Sequence, residues 1–294
     1  MAAQILDGVA TAQRLRAEMA REVAALRERG VTPGLGFVLV GENPASQAYV
    51  RMKKKACAEI GIVSYDYELP ATTTQNELLA LVHKLNTDPA VDGFIVQLPL
   101  PRHINEDVII AAIDPHKDVD CFHPVNVGKL CIGDTDGFFP CTPYGVVVLL
   151  QEYGIDPAGK HVVIMGRSNI VGKPLANLLV QKRAGANATV TICHTATRNI
   201  AQFTRQADIV VAAIGRPRTL TAEMIQPGAV VVDVGINRVE DAAAKGGYRL
   251  VGDVDFEGVK EKASWITPVP GGVGPMTIAM LLRNVLKAAQ RRVV

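Results

Sequence analysis

His161-Val162-Val163-Ile164-Met165-Gly166-Arg167-Ser168-Asn169-Ile170-Val171-Gly172-Lys173-Pro174 is the stretch whose reading decides the fold. Its first five residues read as a buried strand, and the glycine-bearing turn after them leads into a helical stretch. Such a turn aims backbone N–H groups and a helix N-terminus at whatever binds there, which favours an anion. Gly166 permits the tight turn and Gly172 permits close helix packing. Ser168 stands where a dinucleotide fingerprint has its middle glycine, so the motif alone leaves an ordinary strand-to-helix loop open.

The next strand narrows the choice. A fingerprint for NAD places an acid about 20 residues on to hold the ribose 2′-hydroxyl. Here that strand ends Cys193-His194-Thr195-Ala196-Thr197-Arg198, without an acid. Arg167 and Arg198 are available for a 2′-phosphate, with Ser168 and Thr195 as neutral donors. A guanidinium fork matches phosphate oxygens far better than a hydroxyl, so the residues favour NADP over NAD.

Outward from this turn the α/β rhythm continues. Residues 189–193, 209–214 and 230–234 read as buried strands, and 277–291 as a closing helix. Ahead of it, residues 8–29 have a helical rhythm ended by Gly30, and 35–40 read as a strand. Asn43 and Pro44 look like a cap and first helical residue, opening a helix that runs to Gly61. A helix over 75–85 and a strand over 91–97 follow. Residues 99–143 are rich in turn formers and read as active-site loops leading to a domain junction. Strand, helix, strand twice over predicts two α/β domains with parallel, doubly wound sheets, the C-terminal one of Rossmann type. The expected division is 1–140 plus 277–294 against 141–276.

Composition bounds the rest. A length of 294 residues suits two medium domains, and 48% apolar with 20% charged residues excludes a disordered or fibrous chain. Few aromatics, a single tryptophan (Trp265) and a formal charge of +2 argue against nucleic acid. No apolar run approaches the ~20 residues of a membrane span. Asp7, Glu18, Glu22 and Glu28 argue against a targeting peptide. Cys57, Cys121, Cys131, Cys141 and Cys193 show no two-residue gap, and the equal spacing of the middle three reads as coincidence. No metal site is expected, and free thiols point to a reducing cytoplasm.

Tyr49 and Lys53 are four apart and share a helical face with Ala56 and Ile60, whereas Arg51, Lys55 and Glu59 form a solvated stripe. Lys53 therefore points toward an interior or a cleft, although a basic surface run with Lys54 and Lys55 is the competing reading. A partly desolvated lysine beside a tyrosine is a useful acid or base. The same pair occurs in short-chain dehydrogenases, but there the glycine motif precedes it, and here it follows.

Several segments together resemble the methylenetetrahydrofolate dehydrogenase/cyclohydrolase family. They are Val38-Leu39-Val40-Gly41, Ser46-Gln47-Ala48-Tyr49-Val50 with Lys53, and Gly93-Phe94-Ile95-Val96-Gln97-Leu98-Pro99-Leu100-Pro101. Lys117-Asp118-Val119-Asp120, Pro140-Cys141-Thr142-Pro143 and the Gly166 turn fit as well. Asp233-Val234-Gly235-Ile236-Asn237 and Pro268-Val269-Pro270-Gly271-Gly272-Val273-Gly274-Pro275-Met276-Thr277 complete the set, in order, over nearly the whole chain.

The resemblance implies a bifunctional enzyme of one-carbon metabolism, on the route to purine biosynthesis, that oxidises 5,10-methylenetetrahydrofolate with NADP and hydrolyses the methenyl product to 10-formyltetrahydrofolate. It assigns the first domain to folate and the second to NADP, with an active-site cleft between them, and implies a homodimer. Lys53 would be the cyclohydrolase acid/base, Tyr49 would orient the folate, Gln97 would assist Lys53, and Asp120 would accept hydrogen bonds from the pterin. Leu98, Pro270, Gly271 and Gly272 would line the substrate. Gly166, Arg167, Ser168, Val171, Gly172, His194, Thr195, Arg198, Gly235, Ile236 and Thr277 would bind the cofactor. Pro140-Cys141-Thr142-Pro143 reads as a rigid interdomain linker. Two positions depart from the family pattern, Cys121 for glycine and Thr195 for serine. A dehydrogenase-only member, a non-catalytic NADP-binding module and a hydroxy-acid oxidoreductase are the alternatives. The presence of Lys53 and Gln97 speaks against the first, that of Tyr49, Lys53, Gln97 and Asp120 together against the second, and the lack of an arginine clamp against the third.

Overall fold

The computed structural model describes residues 2–241 and 247–293. The chain divides into two compact units, one made of Met1–Ala12 and Thr142–Thr277, the other of Gln13–Cys141 and Ile278–Val294. Strand β1 (Gln4–Ile5) and helix α1 (Gly8–Glu28) come first. Leu15, Met19, Val23 and Leu26 of α1 are buried, three or four residues apart, and Gly30 beyond it takes a left-handed φ of 82°. β2 (Gly34–Val40) is buried at every position, as a central parallel strand must be. α2 (Pro44–Ile60) opens where the Asn43 side chain accepts from the N–H groups of Ala45 and Ser46, and closes on left-handed Gly61.

β3 (Val63–Leu69), α3 (Gln75–Thr87) and β4 (Gly93–Val96) complete a parallel sheet of order β3-β2-β4. β3 was not expected. Its alternation of Ser64, Asp66 and Glu68 with Tyr65, Tyr67 and Leu69 is the period-two pattern of an edge strand with one wetted face. Val38, Leu78, Val82, Phe94 and Ile109 form the core of this three-stranded unit. α4 (Glu106–Ala112) and α5 (Pro124–Ile132) replace the run of loops expected over 99–143. They are too short for a helical period to register, and Asn105 and His123 cap them. α6 (Cys141–Glu152) likewise replaces the expected linker, with Pro143 in its first turn, where no N–H is needed.

The six-stranded unit follows: β5 (His161–Met165), α7 (Gly172–Leu179), β6 (Thr189–Cys193), α8 (Ile200–Thr204), β7 (Ile209–Ala212) and β8 (Val230–Asp233). β9 (Asn237–Glu240) and β10 (Tyr248–Val251) make a separate antiparallel ribbon. α9 (Phe256–Lys260), β11 (Trp265–Ile266) and α10 (Val273–Gln290) end the chain, α10 starting one turn earlier than expected. The parallel sheet has the order β1-β11-β8-β7-β5-β6 over a core that includes Val163, Met165, Val210, Val231 and Ile266. Residues 1–12 thus differ from their expected place, because Gln4 and Ile5 pair with Trp265 and Ile266. A two-residue strand carries no periodicity to read. Strand order reverses at β5, with β6 on one side and β7 on the other, which is where open α/β sheets bind ligands.

Candidate functional site

In the three-stranded unit, α2 buries Ser46, Val50, Lys53, Ala56, Cys57 and Ile60 and exposes Arg51, Lys55 and Glu59. Lys53 is only 4% exposed, which removes the surface-lysine reading. A buried ammonium needs partners. Its Nζ donates to Oε1 of Gln97 at 3.2 Å and lies 4.6 Å from the centre of the Tyr49 ring. Gln97 follows directly on β4, its backbone N–H bonded to Val38 O at 2.9 Å and its Nε2 donating to Leu98 O at 2.8 Å. Both ends of the amide are therefore fixed. Leu98 precedes cis Pro99.

Asp120 lies in the same unit, just beyond a segment that runs beside β4 through a Phe94–Asp118 bridge. The Cys141 thiol donates weakly to Val119 O at 3.5 Å and to Asp120 Oδ1 at 3.7 Å. Burial pushes this thiol well above the usual range; the Asp120 charge adds to that shift and the Lys53 charge opposes it. Cys141 therefore feels both charges, which the linker reading missed; its place between two prolines hid it. Asn284 from α10 was missed as well. Its Nδ2 donates to Val119 O at 2.7 Å and Phe139 O at 2.8 Å, steadying the backbone beside Asp120. Asp118 is buried and accepts from Phe122 N, His123 N and Asn126 Nδ2, yet desolvation still raises its pKa to about 7. Cys121, at the position where glycine was expected, has φ 62° and a buried thiol bonded to Phe138 O at 3.1 Å.

In the six-stranded unit, the turn after β5 is packed so closely that a Cβ on Gly172 would meet Gly166 O at 2.0 Å. No side chain caps α7, and Val171 at its start instead donates its N–H to Ser168 Oγ at 3.0 Å. Arg167 Nη1 donates to His194 Nε2 at 3.4 Å, which brings the ends of β5 and β6 together. Arg167, Ser168, Thr195 and Arg198 are exposed. A bare helix start, a turn that a backbone can approach and guanidinium groups nearby fit a dinucleotide carrying an extra phosphate.

After β8, Asp233 Oδ1 accepts from Gly235 N at 2.9 Å, fixing the turn that exposes Ile236. Burial raises the Asp233 pKa to about 6 despite its three backbone donors. The 268–277 loop packs on the start of α1, where a Cβ on Gly8 would meet Gly272 O at 1.7 Å and Val9 N bonds Gly271 O at 3.1 Å. Pro270 is exposed, Gly272 buried, and the Thr277 hydroxyl lies 3.0 Å from that of Thr142. The expected substrate residues thus fall in both units, and the expected cofactor residues in the six-stranded unit. Among the described residues no helix is long and apolar enough to cross a membrane, and no group of His, Cys, Asp or Glu is arranged to hold a metal.

Comparison with known proteins gives a consistent result. Residues 6–120 match the catalytic domain of tetrahydrofolate dehydrogenase/cyclohydrolase, and residues 140–293 match its NAD(P)-binding domain. A bifunctional protein FolD from Chlorobium phaeobacteroides is 58% identical over 98% of this chain and 97% of its own length. The crystal structure of bifunctional FolD from Campylobacter jejuni is 51% identical, with a TM-score of 0.94 over 99% of this chain and 100% of that one. The Trypanosoma brucei enzyme, solved with NADP cofactor and an inhibitor, is 44% identical at a TM-score of 0.94, covering 100% of this chain and 99% of that one.

Proposed function

Because this chain belongs to the tetrahydrofolate dehydrogenase/cyclohydrolase family, we propose the two-step chemistry that follows for its residues. The enzyme oxidises 5,10-methylenetetrahydrofolate to 5,10-methenyltetrahydrofolate with NADP and hydrolyses the product to 10-formyltetrahydrofolate. NADP, when bound, accepts the hydride from the methylene carbon. The protein's part is to bind, orient and move protons.

The observation that carries the reading is the buried Lys53 held between Gln97 and the Tyr49 ring. An ammonium in this setting, fixed by an amide that is itself fixed, is preorganised to pass a proton to or from the folate nitrogens as water adds to the methenyl carbon. Tyr49 offers a ring face to the planar substrate. Asp120 is a carboxylate for the donor pair of the pterin. Leu98, Pro270, Gly271 and Gly272 complete the substrate set. For the cofactor, the Gly166–Gly172 turn would hold the pyrophosphate, Arg167, Ser168, Thr195 and Arg198 would hold the 2′-phosphate, and Val171, His194, Gly235, Ile236 and Thr277 would lie along the rest.

The assay follows absorbance of the methenyl product while methylenetetrahydrofolate is turned over with NADP or NAD. NADP reduction without lasting methenyl build-up is the expected result; reduction of neither cofactor overturns the reading. We further propose a homodimer, which sedimentation showing a monomer at working concentration excludes. A cytoplasmic setting accords with the five free cysteines.

A further inference from the structure

β5 and β7 are neighbours at the reversal of the sheet, and the loops leaving their carboxyl ends touch: a Cβ on Gly166 would lie 2.2 Å from Ala213 O. The loop after β7 runs Ala213-Ile214-Gly215 and packs beside the phosphate turn as a wall of the same site. A residue outside every motif quoted above holds it. Asp253 is fully buried, and its Oδ2 accepts from Ile214 N at 2.6 Å and Gly215 N at 2.8 Å. Its Oδ1 accepts from Asn237 Nδ2 at 2.8 Å, and its own N–H donates to Asp233 Oδ1 at 2.9 Å. The packing leaves no slack, since a Cβ on Gly252 would meet Asp233 Oδ2 at 1.8 Å and one on Gly235 would meet Asp253 Oδ1 at 2.2 Å.

Two consecutive N–H groups at the carboxyl end of a parallel strand are themselves an anion receptor. With the Asp253 carboxylate filling that receptor, a dinucleotide phosphate is left with the Gly166–Gly172 turn. The same carboxylate, through Asn237, ties the loops after β7 and β8 together, and the Asp253 backbone N–H adds a bond to Asp233. A Rossmann unit is two mononucleotide halves. The arginines lie with the β5–β6 half, so the wall that Asp253 fixes belongs to the nicotinamide half.

We propose that Asp253 is a positioning residue for the dinucleotide: it touches neither cofactor nor folate, and by pinning Ile214, Gly215 and Asn237 it sets the shape against which the nicotinamide half is bound. This rests on the NADP reading above.

The bifunctional chemistry supplies its own control, because hydrolysis of methenyltetrahydrofolate needs no dinucleotide. In full-length Asp253→Asn, KM for NADP is expected to rise about tenfold or more, with a smaller change in kcat. The rise in Tm produced by saturating NADP shrinks in step. Cyclohydrolase activity without cofactor keeps its wild-type KM and kcat. Asp253→Ala, which leaves the Ile214 and Gly215 N–H groups without that acceptor, deepens the effect; if it fails to fold, the asparagine variant still decides. A general loss of structure lowers both activities together and leaves KM for NADP unchanged in the surviving fraction, and that outcome overturns the proposal. So does an unchanged KM in Asp253→Asn. A wild-type chain that reduces no dinucleotide overturns the proposed function first, and this inference with it.

Discussion

Lys53 donates from Nζ to Oε1 of Gln97 across 3.2 Å, so that helix α2 and the carboxyl end of β4 share a partly buried polar contact. The contact leaves the amine poised inside the three-stranded unit instead of free to wander on a long stem.

Replacing Lys53 with methionine keeps the buried length and removes the proton carrier. Cyclohydrolase activity, followed by decay of methenyl absorbance, is expected to fall about 100-fold or more. The NADP-induced rise in Tm stays as in the wild type. Unchanged hydrolysis would end the role assigned to Lys53 while leaving the family membership intact.

Arg167 is exposed beside His194 at the ends of β5 and β6. In Arg167→Ala, kcat/KM for NADP is expected to fall about tenfold to 100-fold, the worth of a charge-assisted hydrogen bond, while the value for NAD hardly moves. Steady-state rates with the two cofactors check this, and an equal loss for both would remove the 2′-phosphate argument.

Gly172→Ala sets a methyl 2.0 Å from Gly166 O, a backbone atom with no flexible end to give way. Dehydrogenase activity is expected to vanish while hydrolysis survives, since the damage is local to the phosphate turn. Retained NADP reduction at wild-type KM contradicts the close packing described.

Stability should fall toward alkaline pH. Burial raises Asp118 to about 7 and Asp233 to about 6, above the unfolded carboxyl value of about 3.9. The folded state therefore holds the extra protons, and the two contributions are full at low pH and lost as pH climbs through the folded values. The urea midpoint is expected to drop between about pH 4 and about pH 7, and the drop to narrow in Asp118→Asn. An identical slope in that variant argues against Asp118.

At Cys121 a left-handed φ of 62° opposes a buried thiol that bonds Phe138 O. Left-handed backbone costs an L-residue about 1–2 kcal/mol, a cost glycine escapes. Cys121→Gly is expected to be at least as stable in urea as Cys121→Ala, despite its smaller side chain. The reverse order would mean that packing, and not backbone strain, governs this position.

Much of this was legible before any coordinates. Asn43-Pro44 and Gly61 bracket α2, and the apolar run Val162–Met165 of β5 stands clear before its turn, so their limits follow from local chemistry. β6, with Thr189 and Thr191, is a half-exposed edge strand where a buried one was expected. Lys53 was legible because a charge on an otherwise apolar stripe must find a partner. What escaped depended on partners far away in sequence. Asn284 is one amide in an apolar helix, and its meaning lies in the carbonyls of Val119 and Phe139. Asp253 acts on Ile214 and Gly215, and Cys141 on Asp120. Helices α4 and α5 are only about two to two and a half capped turns, below the length at which a period declares itself.

Strand β1 pairs with β11, and the last seventeen residues serve the unit begun at residue 13. On the ribosome, then, the unit begun at residue 13 must wait for the six-stranded unit to be made before its own last helix arrives. A gene split near residue 141 would yield a front fragment missing the amide that satisfies Val119 O, and a rear fragment with an open sheet edge along β11. The two units are thereby bound into one polypeptide by chain threading, so that dividing them between separate genes would demand rebuilding both ends.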